Sequence, residues 1–131
     1  MTASRRPVVL LGLALLGLSL PQAAAVARPF LYMSSFDYTG PYTTCLANAE
    51  KALRAEGFNR NLESRSSAEE KAGTVYAFYD DEPIIAVIQC IQKAGITLLG
   101  VSGIDNDTTW KLYQKLKKSL LVIERAASLM G

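Results

Sequence analysis

The chain has 131 residues, 14 of them basic and 12 acidic, and it contains no histidine. Without histidine there is no Ser-His or Cys-His nucleophile pair and no imidazole metal ligand. The near balance of charge gives no electrostatic footprint for nucleic acid, and the length suffices for one domain with a single core but not for two.

The N-terminus reads Met1-Thr-Ala-Ser-Arg-Arg-Pro7, then a leucine-rich uncharged run from Val8 to Leu20, then Pro21-Gln22-Ala23-Ala24-Ala25-Val26-Ala27. A charged start, an apolar stretch and small residues at a cleavage position are the three parts of a secretory signal peptide. As a helix the run would be about 20 Å long, short of the roughly 30 Å hydrocarbon core a membrane span must cross. The pattern predicts a leader over 1–25 that is cut after Ala25, with Ala27 as the alternative, and one α+β domain over 26–131. Arg5-Arg6 is similar to a twin-arginine signal, but Pro7-Val8-Val9 departs from it, and general secretion fits better. Cleavage removes Arg5 and Arg6, leaving 12 basic against 12 acidic residues. The apparent basic character therefore belongs to the leader, and no stable membrane insertion is expected after cleavage.

Phe30, Tyr32, Ser34, Phe36 and Tyr38 alternate with Leu31, Met33, Ser35 and Asp37, a period of two that predicts the first strand. Gly40-Pro41 breaks it, and Thr43 or Thr44 is positioned to cap a helix over Thr44 to Glu56. There Cys45, Leu46, Ala49, Ala52 and Leu53 recur at helical spacing, and Gly57 is a C-cap with Phe58 folding back. Asn59 to Lys71 is polar and reads as the least ordered part, with a short strand around Asn61 to Ser66 and a mobile loop after it. Thr74 to Tyr79 is β-rich and ends at the turn Asp80-Asp81-Glu82-Pro83.

Ile84 to Gln92 follows, with Ile84, Ala86, Ile88 and Cys90 on one face and Ile85, Val87 and Ile91 on the other, the mark of a central strand. Lys93-Ala94-Gly95 turns into a strand over Ile96 to Val101, and strands joined so closely are antiparallel. Asp105-Asn106-Asp107-Thr108 offers several N-caps. Leu112, Tyr113, Leu116, Leu120 and Ile123 then predict an amphipathic helix over Thr108 to Arg125, with Lys111, Lys115 and Lys118 on its outer side. Ala126 to Gly131 reads as a frayed tail.

The order β-α-(β)-β-β-β-α predicts an antiparallel sheet of four to five strands with both helices on one face. Cys45 lies on the buried stripe of the first helix and Cys90 on the inner face of the central strand. In an oxidising compartment the even count predicts a Cys45–Cys90 disulfide, the alternative being two buried free thiols. The bond closes a loop of 45 residues, for which the chain-entropy estimate is about 4 kcal/mol.

Thr44-Cys-Leu-x-x-Ala-Glu-x-Ala-Leu53, Val87-Ile-Gln-Cys90-Ile91 and Gly100-Val-Ser-Gly-x-Asp105 together resemble small exported bacterial proteins of unknown function with a signal peptide and a two-cysteine α+β domain. The resemblance implies the bacterial periplasm (or secretion) and a disulfide-linked sandwich of helices on a sheet, and it carries no activity over to particular residues.

Candidate chemistry is sparse, and neither a cofactor nor a metal is expected. Asp80, Asp81 and Glu82 read as solvated turn residues; carboxylate-only hydrolysis would need one of them to meet Asp105 or Asp107 in a cleft. Asp105-x-Asp107 opens like a calcium loop, but Trp110 replaces the glycine at its sixth position and Leu116 the glutamate at its twelfth, so helix capping accounts for it better. Asn106-Asp107-Thr108 is formally an N-glycosylation acceptor. Phe30, Tyr32, Phe36 and Tyr38, joined by Tyr76 and Phe78, are either a ligand or partner surface on an uncovered sheet face or the core side of the sheet. These features predict a non-enzymatic binding or interaction module for an unidentified protein or small ligand. A toxin-immunity protein or enzyme inhibitor is the alternative.

Overall fold

The computed structural model describes residues 28–130, so the leader expected over 1–25 and its expected cleavage point lie outside the described residues. Five strands and two long helices follow in order: β1 Phe30–Asp37, α1 Tyr42–Ala55, β2 Arg60–Ser67, β3 Ala72–Phe78, β4 Ile85–Ile91, β5 Ile96–Gly103 and α2 Asn106–Met130. They form the expected α+β architecture. All strand pairs are antiparallel and the sheet order is β1-β5-β4-β3-β2.

α1 carries the chain from one edge of the sheet to the other. The strands β2 to β5 then return as a meander, until β5 pairs with β1 over Phe30↔Gly103 to Asp37↔Ile96. Both helices lie on one face, α1 over β3 and β4 and α2 over β5 and β1, and they touch each other. Cys45, Ala49 and Leu53 of α1 and Leu112, Leu116 and Leu120 of α2 meet Val75, Ala77, Ile88, Leu99 and Val101 from the sheet in one core. Each large aliphatic side chain fully buried there stabilises the fold by about 1.5–3 kcal/mol relative to exposure.

The Cys45–Cys90 disulfide forms, with 6.1 Å between the Cα atoms, and it pins α1 to β4. Gly57, at φ 88°, ends α1: its N–H donates to the Arg54 carbonyl and the Phe58 N–H to the Leu53 carbonyl, the Schellman pairing. At the other end of α1 no side chain of the helix supplies a cap. The Tyr42 N–H donates instead to Gln92 Oε1 at 2.9 Å, across a long sequence interval that local pattern does not reveal.

Two segments differ from their sequence expectation. Asn59 to Lys71, expected to be poorly ordered, is mostly β2, whose register runs from Ser64↔Val75 to Ser67↔Ala72 before a turn in which Lys71 takes φ 50°. A bulge between Arg60 and Glu63, with Asn61 at φ 52°, lets Leu62 pack on the core. That shift of phase conceals the strand's alternation. α2 also continues through the supposed tail to Met130, because Ala126, Ala127 and Leu129 favour helix and no glycine or proline precedes Gly131.

Candidate binding face

Helices cover one face of the sheet, and the other face carries no element of this chain among the described residues. Its residues follow from the period of two and the strand register. Leu31, Ser102, Ile85, Phe78 and Arg60 form one row across the five strands, and Met33, Gly100, Val87, Tyr76 and Glu63 form the next. Ser35, Leu98, Gln89, Thr74 and Arg65 make a third row. Among the apolar side chains of this face those of β1 stand furthest into solvent, with Leu31 61% and Met33 63% exposed. Beside them Leu31, Met33, Ile85, Val87, Leu98 and Gly100 line a shallow, almost wholly apolar groove of about 250 Å³.

Three of the four charged side chains of this face, Arg60, Glu63 and Arg65, lie at its β2 edge, with Asp37 on β1. Tyr76 Oη donates to Glu63 Oε2 at 2.5 Å, Arg65 pairs with the same carboxylate at 3.4 Å, and the Arg60 guanidinium stacks 5.0 Å above the Phe78 ring. The hydrogen bond to Glu63 raises the Tyr76 phenol above its ordinary pKa. The surface is thus an apolar field with a charged border, the anatomy of an interaction patch.

The β1 aromatics divide differently. Tyr32, Phe36 and Tyr38 lie on the helix side, half-buried against the core. The Tyr32 ring packs edge-on to Trp110 at 5.0 Å and beside Tyr113 at 5.8 Å, and its hydroxyl bonds to Asn106 Oδ1. Phe30 is half-exposed at the start of the strand. The structure takes the core-side alternative for Tyr32, Phe36 and Tyr38, and the uncovered face is carried by their alternates Leu31 and Met33. Tyr76 and Phe78 do belong to that face. The signal that could have located it was β4: apolar residues on both sides require cover on both sides, whereas two helices cover only one.

The carboxylates are distributed over two shallow depressions. Asp80 and Asp81 line one of about 510 Å³ with Gly57, Asn59, Arg60 and Tyr79, and Glu82 and Asp105 line another of about 370 Å³ with Pro83, Ile84 and Ile104. Asp105 is occupied as the cap of α2, accepting from the Thr108 N–H at 3.0 Å and from the Thr108 hydroxyl, which together hold its carboxyl below the usual carboxylate range. That direction suits a cap and opposes a general acid. Among the described residues no three Asp, Glu or Cys side chains come together to hold a metal ion. Lys111, Lys115 and Lys118 are exposed on the outer side of α2.

One buried charge was invisible to pattern reading. Glu124 is only 6% exposed and borders a depression of about 470 Å³ with Asp37, Tyr38, Leu121, Arg125 and Leu129. Burial raises its carboxyl above the ordinary value, partly offset by a hydrogen bond from Thr97; burial and the charge of Glu124 raise Tyr38. No family model matches the chain, and no curated protein matches it. No helix among the described residues is long and apolar enough to cross a membrane, and the oxidised cysteine pair fits an oxidising compartment outside the cytosol.

Proposed function

We propose that the protein is an exported, non-enzymatic binding module of the periplasm whose working surface is the uncovered face of its sheet. The observation that carries this reading is the pair Leu31 and Met33, both more than 60% exposed and side by side next to an apolar groove on the sheet face that the helices leave open. Covering the part of each side chain that is still exposed would contribute about 1–2 kcal/mol. The leader-like sequence over 1–25 and the disulfide support export, and the neutral balance of the remaining chain favours an apolar contact over an electrostatic one.

Photo-cross-linking inside the cell tests the reading. A photoreactive residue at position 33 is expected to give a discrete adduct of defined mass, whereas the same residue at the exposed position 111 on α2 gives none. Equal labelling at both positions, or none at 33, would remove the open face as the binding surface.

A further inference from the structure

We infer that the depression between the end of β1 and the C-terminal half of α2 binds a free α-amino acid, its ammonium group taken by Glu124 and its carboxylate by Arg125. The site lies on the helix side of the sheet, apart from the open face, and stands whether or not that face binds a partner. Glu124 is only 6% exposed, yet it borders a depression of about 470 Å³, within the roughly 300–1,000 Å³ of small-molecule sites. Its Oε1 accepts from the Thr97 hydroxyl at 3.2 Å, and its Oε2 accepts no hydrogen bond among the described residues. That second oxygen is not sealed in the interior either, for the enclosed side-chain atoms without a partner there are Ser34 Oγ and Asn48 Nδ2. A carboxylate oxygen that is neither bonded nor enclosed, on a residue lining the depression, opens into it. The larger depression beside Asp80 and Asp81 has no buried residue in its lining, and its charges are solvated.

Folding does not account for the charge at position 124. An amide there would accept from Thr97 equally well, and burying a carboxylate without a cation costs stability, as the raised carboxyl of Glu124 reflects. A titratable group held at such a cost beside a cavity marks a functional site.

Arg125 decides the class of ligand. It is exposed and lines the same depression, but no carboxylate among the described residues lies within ion-pair distance of it, Glu124 included. The strand alternation that turns Tyr38 toward α2 turns Asp37 toward the open face, so Asp37 borders the depression without adding a second carboxylate to its floor. One anionic and one cationic side chain therefore line the cavity without neutralising each other. A ligand of single charge leaves one of them unmatched. A free amino acid carries an ammonium and a carboxylate on one carbon and matches both, the carboxylate suiting the fork of the guanidinium. Leu121 and Leu129, the latter 89% exposed, offer an apolar wall to its side chain.

Titration of the exported, oxidised protein with L-alanine, L-leucine and L-phenylalanine at neutral pH, followed by amide NMR spectra, tests the site. At least one of the three is expected to shift the Thr39, Leu121 and Arg125 amides saturably, with a Kd below about 1 mM, and to leave Met33 and Val87 unmoved. The carboxamide of that amino acid, which lacks the carboxylate, and its N-acetyl form, which lacks the ammonium, should each bind at least about tenfold more weakly. Glu124→Gln should weaken the amino acid at least about tenfold while folding no less stably than the parent, so the lost binding is not lost structure. Arg125→Gln should weaken the amino acid similarly but leave its carboxamide unaffected, a distinction that a merely structural role would not make. Lys111→Gln should change neither. No saturable shift with any of the three up to about 20 mM, shifts confined to the open face, a carboxamide or N-acetyl form as tight as the amino acid, or unchanged binding by Glu124→Gln would overturn the inference. The cross-link from position 33 reports on the open face separately, so the failure of either site leaves the other standing.

Discussion

Glu124 accepts a hydrogen bond from the Thr97 hydroxyl at 3.2 Å, on the inner side of the sheet, and the same hydroxyl lies 3.4 Å from Cys45 Sγ. A carboxylate is therefore buried at the junction of α2, β5 and the disulfide. Its own element offers it no cation within ion-pair distance, so the Thr97 hydroxyl is its one direct hydrogen-bond partner among the described residues.

This arrangement fixes the sign of a pH dependence. Because burial raises the folded-state pKa of Glu124 above its unfolded value, the unfolded chain releases the proton first as pH rises. Glu124 is thus best tolerated in acid, below its unfolded pKa, and its contribution falls as pH rises from that value through the raised folded one. Glu124→Gln, which still accepts from Thr97, should stabilise the protein at neutral pH by on the order of 1 kcal/mol and leave stability at pH 4 nearly unchanged. Urea melts of both forms across pH 4–8 measure it. Asp105 acts in the opposite sense: its lowered pKa means that its capping contribution is lost as pH falls through the carboxylate range.

The disulfide accounts for a second expectation. Cys45 and Cys90 are both fully buried and tie α1 to β4 across a loop of 45 residues. Replacing both by alanine should lower unfolding free energy by about 2–4 kcal/mol and raise the m-value, because the unfolded chain without its cross-link exposes more surface; denaturant melts fitted for both parameters measure it. In the native state neither cysteine should be alkylated without prior reduction and unfolding.

The glycines of β5 should separate cleanly. Gly103→Ala drives a methyl against Ile84 and Thr109 and is expected to cost about 1–3 kcal/mol, whereas Gly100→Ala in the same strand should be neutral or stabilising. Thermal melts of the two variants at low protein concentration compare them directly.

A further variant probes the end of α1. Gly57 holds φ 88° with its open side against the Tyr79 ring, so Gly57→Ala should destabilise by about 1 kcal/mol or more through backbone strain and contact together. Circular dichroism on heating gives the shift.

How much of this was legible in the sequence depends on the range of the interaction. The apolar spacing along Cys45, Ala49 and Leu53, and along Leu112, Leu116 and Leu120, located both helices and their buried sides, because amphipathic period is a local property. The disulfide followed from two such periods together. β2 was obscured because its bulge at Arg60 to Glu63 shifts the alternation, and its polar residues pair with β3 at a sheet edge where pattern is weak. The side of the sheet that the helices cover was not legible in β1, where both alternates are apolar enough to be buried. Only the placement of α2 against Tyr32, through Trp110 and Tyr113, decides that Leu31 and Met33 face outward. Glu124 shows the same limit, since a charge on a helix reads as solvent-facing until the packing around it is known.

The most direct test of the open face uses the protein's own thioether. Met33 projects into solvent on that face, so its oxidation by hydrogen peroxide reports whether anything covers it. Mass spectrometry of Met33 after a short peroxide pulse should find rapid sulfoxide formation in purified, dilute protein and clear protection in intact cells. Equal oxidation rates in the two settings would contradict a covered face.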